Sequence, residues 1–151
     1  MTAGEIRAGE RFEDPERWED TAAQGPHIWR TLGYERVTWE PGRNVIRWTA
    51  TPDYAFPAGS GHIVHGGMVA TVLDTAMGGA AWTVLDNDES FLTADLHVEF
   101  MRSSRPGVLI ADGRVVQRNR RVIFCSAELL DEDGKLLAAA RCTQVVLPAR
   151  H

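Results

Sequence analysis

One segment of this 151-residue chain, residues 66–85, constrains the fold more than any other because it is apolar on nearly every side. Its Ala, Leu, Met and Val residues recur with a period of about 3.6 residues, which predicts an α-helix. The apolar positions cover most of the helix circumference: Met68, Val69, Val72, Leu73, Ala76, Met77, Ala80 and Val84. A helix that is apolar all round must be buried, so the rest of the chain has to surround it.

The segments on either side of this helix have the alternating pattern of β-strands. Residues 34–39 and 44–51 flank a Pro-Gly turn and predict a hairpin, whereas residues 52–64 are rich in Pro, Gly and polar residues and predict a loop. Four further β-type runs follow the helix, at residues 93–101, 108–118, 121–130 and 135–147. Short links require antiparallel neighbours, so we predict an α+β fold in which one antiparallel sheet wraps around one long central helix.

The length fits one domain, since a single core commonly forms within about 100 to 200 residues. Residues 1–13 are polar and lack periodicity, which predicts a disordered N-terminal tail, and residues 14–151 are predicted to form the domain. A short helix is expected at the start of the domain. Asp14 is a suitable N-cap, Pro15 suits the first helical position, and Trp18 and Ala22 are spaced as on one face of a helix. Residues 27–32 are ambiguous.

Charge and composition exclude several classes of partner. The net charge is −5, so no general affinity for nucleic acid or for an anionic membrane is expected. No segment resembles a signal peptide or approaches the roughly 20 apolar residues of a membrane span, and we predict a cytoplasmic protein. Cys125 and Cys142 lie in apolar runs and are predicted to be core thiols. No cluster of His, Cys and carboxylate residues has ligand spacing, so neither a metal site nor a bound cofactor is predicted.

Basic residues concentrate in one part of the chain. Between residues 100 and 121, six arginines accompany a single acid, Asp112; they are Arg102, Arg105, Arg114, Arg118, Arg120 and Arg121. This distribution has two interpretations. It is either an anion-binding patch or the solvated face of the strands, because alternating strands place polar residues in water.

Asp74 is the only charged residue between His65 and Asp86, in the middle of the helix that must be buried. A buried carboxylate without a partner costs several kcal/mol, so its presence requires an explanation. At about 100° per residue, small residues lie on the same face as Asp74, namely Gly67, Thr71, Gly78 and Ala81. Such a face either leaves room for a substrate or packs against a second helix.

The triplet His65-Gly66-Gly67 stands where the helix begins. Free N–H groups at a helix N-terminus carry partial positive charge and suit a carbonyl oxygen that becomes an oxyanion. His65 and Asp74 are nine residues apart, so they point in roughly opposite directions and stand about 13 Å apart along the axis. Both can contribute to one site only if two subunits pair, which predicts a homodimer.

Residues 65–78, HGGMVATVLDTAMG, resemble the signature of phenylacetate-degradation-type thioesterases in the hotdog superfamily. The resemblance continues through the strand at residues 93–100, the Arg105-Pro106-Gly107 turn and Asn119-Arg120-Arg121, and it covers about residues 34–146. It implies the hotdog fold, a homodimer or a dimer of dimers, and an acyl-CoA substrate whose coenzyme A part is not a separate cofactor.

The resemblance also implies roles for individual residues. Asp74 corresponds to the acid that acts as nucleophile or general base, and the Gly66 N–H corresponds to the donor that polarises the carbonyl. His65 then supports the loop, Gly67 lets the ligand approach, and Thr93 helps to place the attacking water. The implied contacts with the coenzyme A phosphates are Arg105, Arg120 and Arg121.

The chain departs from the family at Gly59, where the family often has an Asn or Gln that orients the acid or the water. Ser60 and His62 are the alternative candidates for that role. Three functions follow as hypotheses: hydrolysis of a small aromatic or short- to medium-chain acyl-CoA, hydration or dehydration of an acyl thioester, and non-catalytic binding of acyl-CoA. The hydratase and dehydratase signatures are absent, and a pure binding tunnel has little use for a buried acid.

Overall fold

The computed structural model describes residues 5–14 and 26–148. The helices are α1 (Glu10–Glu13), α2 (His27–Leu32) and α3 (Gly66–Trp82), with a 3₁₀ helix at Pro52–Tyr54. The strands are β1 (Tyr34–Glu40), β2 (Arg43–Ala50), β3 (Ala55–Ala58), β4 (Gly61–Val64), β5 (Glu89–Phe100), β6 (Gly107–Arg118), β7 (Val122–Asp131) and β8 (Leu136–Pro148). None of the described helices is long and apolar enough to cross a membrane.

Six strands form one antiparallel sheet in the order β1-β2-β6-β7-β8-β5, and β3 pairs with β4 in a separate hairpin. The large sheet wraps around α3, which contacts strands along its whole width. The α+β prediction of a sheet around one long helix is therefore confirmed.

The apolar positions of α3 account for this packing. Val72, Leu73, Ala76, Met77 and Ala80 have no solvent exposure. The helix and β6 approach most closely at Gly113, where an added Cβ would stand 2.4 Å from the backbone of Ala76. A glycine is required there because any side chain would push the helix away from the sheet.

Three local features differ from the sequence predictions. The expected loop at residues 52–64 contains the 3₁₀ helix and the β3–β4 hairpin, and the ambiguous residues 27–32 form α2. The central helix ends at Trp82 rather than near residue 85, because the Thr83 hydroxyl donates to the Ala80 carbonyl and the next two N–H groups bond three residues back. Thr83 also accepts a hydrogen bond from the Gly42 N–H at 2.7 Å, which anchors the helix end to the β1–β2 turn.

The N-terminal segment is the fourth difference. Residues 5–13 were expected to be disordered, but in the structure Gly9 donates to the Thr83 carbonyl at 2.9 Å and Arg11 donates to the Leu85 carbonyl at 3.2 Å. A Cβ on Gly9 would stand 2.1 Å from the Leu85 oxygen, so only glycine allows this contact. The short helix expected from Asp14 through Ala22 lies almost entirely outside the described residues.

Candidate active site in the middle of the buried helix

Asp74 occupies the middle of α3 and faces β5. The Thr93 hydroxyl of β5 lies 3.2 Å from Asp74 Oδ1 and 2.9 Å from Oε1 of Gln144, a fully buried residue of β8. The hydroxyl has one proton and therefore donates to one of the two oxygens at a time. Burial raises the pKa of Asp74 above its ordinary value, and the hydrogen bond from Thr93 partly offsets this by lowering it.

A cavity of about 260 Å³ lies directly in front of the Asp74 carboxyl. Aromatic rings from four elements form its walls: Trp29, Trp39, Trp82 and Phe91. Gly78 and Gly79 of α3 also line it. A Cβ on Gly78 would stand 3.6 Å from the Phe91 ring of the cavity wall, so glycine leaves space there, whereas the missing side chain of Gly79 makes room for Asn44. Of the two interpretations of the small-residue face, this geometry favours room for a substrate.

A bulge in β1 places a charged residue on the same cavity. The register with β2 shifts between Arg36 and Thr38, so Arg36 pairs with Ile46 and Trp39 pairs with Asn44. Ile46 and Asn44 are both buried under α3, which means that Arg36 and Trp39 share the helix-facing side. In a regular strand, residues three apart would point to opposite faces.

The beginning of α3 forms a second and separate cavity. Gly66 lines a space of about 370 Å³ with Phe56, Phe100 and Met101, whereas Asp74 does not. His65 caps the helix, because its Nδ1 accepts the Gly67 N–H at 2.9 Å. The Gly67 N–H is thus occupied, and the Gly66 N–H stays as the helix-start donor without an acceptor in its own helix.

The structure therefore brings Asp74 and Thr93 together and leaves Gly66 on another cavity of the same chain. His65 and Gly67 line neither of these two cavities. Gly59 lies in the β3–β4 turn with a φ of +60°, a left-handed conformation that favours glycine. Its alternatives, Ser60 and His62, are exposed and are not among the described residues that line the Asp74 cavity.

The six arginines do not form one patch. Arg118 makes a two-pronged ion pair with Glu89 at 2.7 and 2.8 Å, and Arg114 pairs with Asp112 at 3.3 Å. Arg105 stands before β6, next to Gly61, whereas Arg120 and Arg121 follow β6. The twelve residues of β6 separate these groups by roughly 36 Å, at about 3.3 Å per residue. One chain cannot place all three predicted phosphate ligands on one coenzyme A phosphate.

Two residues of the site were not predicted from the sequence. Gln144 is a polar residue in a row of alternate, buried and otherwise apolar residues on β8: Ala140, Cys142 and Val146. A single amide in such a row indicates a buried polar contact, so Gln144 could have been found from the sequence. Arg36 follows the alternation of a hairpin strand, and only the bulge turns it together with Trp39 toward the helix. Among the described residues, no group of three or more His, Cys, Asp or Glu side chains is arranged to hold a metal ion.

Comparisons with known proteins agree with this geometry. An esterase by name from Saccharolobus solfataricus is 29% identical over 130 residues, which are 85% of this chain and 90% of that protein. The 1,4-dihydroxy-2-naphthoyl-CoA hydrolase of Listeria monocytogenes is 25% identical and matches 80% of this chain and 95% of its own length. The crystal structure of a thioesterase related to phenylacetic acid degradation from Ralstonia eutropha superposes with a TM-score of 0.76 at 27% identity, covering 85% of this chain and 98% of that one.

The family model of the thioesterase superfamily matches residues 61–138, just over half of the chain. This match includes the whole of α3, the Gly66 helix start and the β5 strand that carries Thr93. With its sheet wrapped around a helix that carries the acid, the chain belongs to the thioesterase superfamily and is a thioester hydrolase of the hotdog fold.

Proposed function

We propose that this protein hydrolyses the thioester of a small aromatic acyl-CoA, with Asp74 as the acting carboxylate. The observation that carries the proposal is the half-buried Asp74, bonded to Thr93, at the wall of a 260 Å³ cavity lined by aromatic rings. A cavity of about 150 Å³ is enough to bind benzene, so this one has room for a single ring with substituents. Flat aromatic walls favour a planar ring over a flexible chain because aromatic pairs stack.

The chemistry follows from the positions of the groups. Asp74 either removes a proton from a water that attacks the thioester carbon, or attacks that carbon itself to form an anhydride that water then hydrolyses. In both routes the carbon–sulfur bond breaks, and the products are the free acid and the coenzyme A thiol. Thr93 is placed to hold the water or the carboxylate, and Gln144 holds Thr93. The relative from Listeria acts by name on an aromatic acyl-CoA, which supports this substrate class.

The oxyanion donor in this proposal is the Gly66 N–H of a partner subunit, since Gly66 and Asp74 line separate cavities of one chain. The edge strand β5 supports pairing of two copies. It is twelve residues long, none of the described strands pairs with its outer edge, and its large exposed apolar side chains are Leu92, Leu96 and Phe100. A long edge of this kind is a template for pairing with another strand. A dimer of dimers would use other exposed apolar residues, Val116, Phe124 and Val145.

Dimerisation would also allow Arg105, Arg120 and Arg121 to bind the same coenzyme A molecule. We place Arg105 of one subunit and Arg120 and Arg121 of the other on the nucleotide phosphates of coenzyme A. Charge removal at Arg120 and Arg121 is then expected to weaken the use of acyl-CoA while barely affecting the same acyl group on pantetheine, which lacks those phosphates. Equal losses on both carriers would make these arginines structural.

Thiol release from a panel of acyl-CoA esters tests the proposed function. We expect the highest kcat/KM for a single-ring aromatic acyl group and lower values for hexanoyl- and palmitoyl-CoA. A protein that binds these esters tightly and releases no thiol would instead support the alternative function, a non-catalytic acyl-CoA binding protein.

A further inference from the structure

Among the described residues, Arg36 is the one arginine that lines the cavity, and its environment differs from that of the paired arginines. Its guanidinium carbon lies 4.1 Å from the ring centre of Trp39 and 4.8 Å from that of Trp29. Its Nε and Nη1 are buried, and neither has a hydrogen-bond partner in the part of the chain that the structure describes. Burial lowers the pKa of Arg36 to about 10, which leaves it charged at neutral pH.

The carboxylates nearby do not satisfy this charge. Within residues 5–14 and 26–148, ion pairs shorter than 4.0 Å join Arg43 and Arg114 to Asp112 and Arg118 to Glu89, but none joins Arg36 to an acid. Asp74 lines the same cavity and is bonded to Thr93 instead. A buried charged donor without an acceptor is costly, so an acceptor brought by a ligand would recover a large part of that cost.

We infer that Arg36 recognises an acceptor oxygen on the acyl group, such as a phenolic hydroxyl or a ring carboxylate, at the end remote from the thioester. The inference rests on the proposed function, because it assigns the acyl group to the Asp74 cavity. The two tryptophans hold the guanidinium, whose N–H donors lie in its plane and match a hydroxyl or a carboxylate. Apart from Arg36 and the polar group of Asp74, Thr75 and Thr93, the described lining consists of Pro, Gly and aromatic residues. A ring with one polar substituent therefore matches both the aromatic walls and the guanidinium.

Pairs of substrates that match in size but differ in the acceptor oxygen test the contact between Arg36 and the acyl group. We compare 3- and 4-hydroxybenzoyl-CoA with 3- and 4-methylbenzoyl-CoA, because a methyl group has nearly the volume of a hydroxyl and accepts no hydrogen bond. The 3- and 4-carboxybenzoyl esters separate an anionic from a neutral acceptor. For the wild type we expect at least one acceptor-bearing ester to exceed its methyl counterpart in kcat/KM by about 10- to 100-fold, the usual effect of a hydrogen bond to a charged group.

The matched variants are Arg36→Met and Arg47→Met. Arg36→Met replaces a desolvated charge with an apolar side chain of similar length, so it should fold at least as well as the wild type, which its Tm will show. We expect it to reduce the preference for the acceptor to within about threefold. Arg47 lies on the neighbouring strand β2 and is exposed, so Arg47→Met is expected to keep the preference. A preference absent from the wild type, or retained by Arg36→Met, would overturn the inference.

A binding measurement keeps this result separate from the proposed function. Non-hydrolysable thioether analogues of the same acyl groups should quench the fluorescence of the cavity tryptophans, and their Kd values should show the same dependence on Arg36. If no ester is cleaved but binding depends on Arg36, the proposed hydrolysis fails and the inference stands. If esters are cleaved and neither kcat/KM nor Kd depends on the acceptor, the hydrolysis stands and the inference fails.

Discussion

The middle and the beginning of α3 are two different chemical environments on one helix. In the middle, Asp74 is half-buried beside an aromatic cavity and its charge is opposed by desolvation. At the beginning, Gly66 lies beside the exposed ring of Phe100, and a helix-start N–H awaits an acceptor. Among the described residues, no helix-start N–H lines the Asp74 cavity, and Asp74 does not line the cavity beside Gly66. In the proposed dimer, Asp74 of one subunit therefore acts with the Gly66 N–H of the other.

Removal of the acid should have the largest effect. Asp74→Asn keeps the shape and the ability to accept from Thr93, but it can neither take up a proton nor attack a carbonyl. We expect kcat on the best acyl-CoA to fall by about 10² to 10⁴-fold. Asp88→Asn, at an exposed turn, is the charge-matched control. Turnover above about a third of the wild-type value would remove Asp74 from the mechanism.

The second prediction concerns the helix start. Gly66 is the first residue of α3, and the preceding His65 has φ −56° and ψ 132°, which a residue before proline adopts easily. Gly66→Pro thus deletes one N–H with little change of the backbone, and kcat should fall by about 10² to 10³-fold. Gly66→Ala keeps the N–H and is the control, since its Cβ would meet only the exposed Phe100 ring, at 3.4 Å.

Mixed dimers of two inactive variants test whether Asp74 and the Gly66 N–H of one site come from different subunits. Refolding Asp74→Ala together with Gly66→Pro should restore activity to about one quarter of the wild type, because half of the dimers are mixed and each has one intact site. Size-exclusion chromatography verifies that dimers form. No recovery in confirmed mixed dimers would place the acid and the amide in the same chain.

A smaller effect is expected at Thr93. Thr93→Val deletes the hydrogen bond to Asp74, and we expect about a tenfold loss in kcat/KM. Burial already raises the pKa of Asp74, so the acid limb of the pH profile should lie above the ordinary Asp range. The Thr93 hydrogen bond lowers this pKa, so its removal should shift the limb to still higher pH. Thr93→Ser retains the hydroxyl and should keep the wild-type limb; an unmoved limb in Thr93→Val would contradict the assignment.

Gln144 should act through Thr93 and therefore more weakly. Gln144→Met removes the oxygen that lies 2.9 Å from the Thr93 hydroxyl, and we expect a loss of about two- to tenfold in kcat/KM. A positioning role predicts that this loss nearly disappears when Gln144→Met is combined with Thr93→Val. Additive losses would show that Gln144 matters only for packing.

The smallest expected effect is on stability. The raised pKa of Asp74 means that the folded state binds the proton more tightly than the unfolded chain, so ionised Asp74 destabilises the fold at neutral pH. Asp74→Asn should therefore raise Tm at pH 7, by no more than about 3 °C for a group only half-buried. The gain should shrink as the pH falls toward the ordinary Asp value of 3.8. An equal gain at every pH would mean that ionisation of Asp74 is not its cause.

The buried helix, the antiparallel sheet around it and the position of Asp74 could all be predicted from the amino-acid sequence. These features depend on periodicity and on one charge in an apolar run, both of which are local properties of the chain. The family resemblance also implied that Thr93 helps to place the attacking water, and in the structure the Thr93 hydroxyl lies 3.2 Å from Asp74 Oδ1. The separation of the helix start from Asp74 followed from the helical rise alone, and in the structure Gly66 and Asp74 line different cavities.

The distant residues that complete the cavity could not be predicted, because strand pairing and a bulge bring them together. Gln144 reaches Thr93 because β5 pairs with β8 across 51 residues of sequence, and alternation along one strand cannot reveal that register. Arg36 and Trp39 share a face because one bulge in β1 reverses the side to which the following residues point. Strand geometry also separates Arg105 from Arg120 and Arg121, which are close in sequence. The twelve-residue strand β6 between them is extended, so residues at its two ends lie far apart in space.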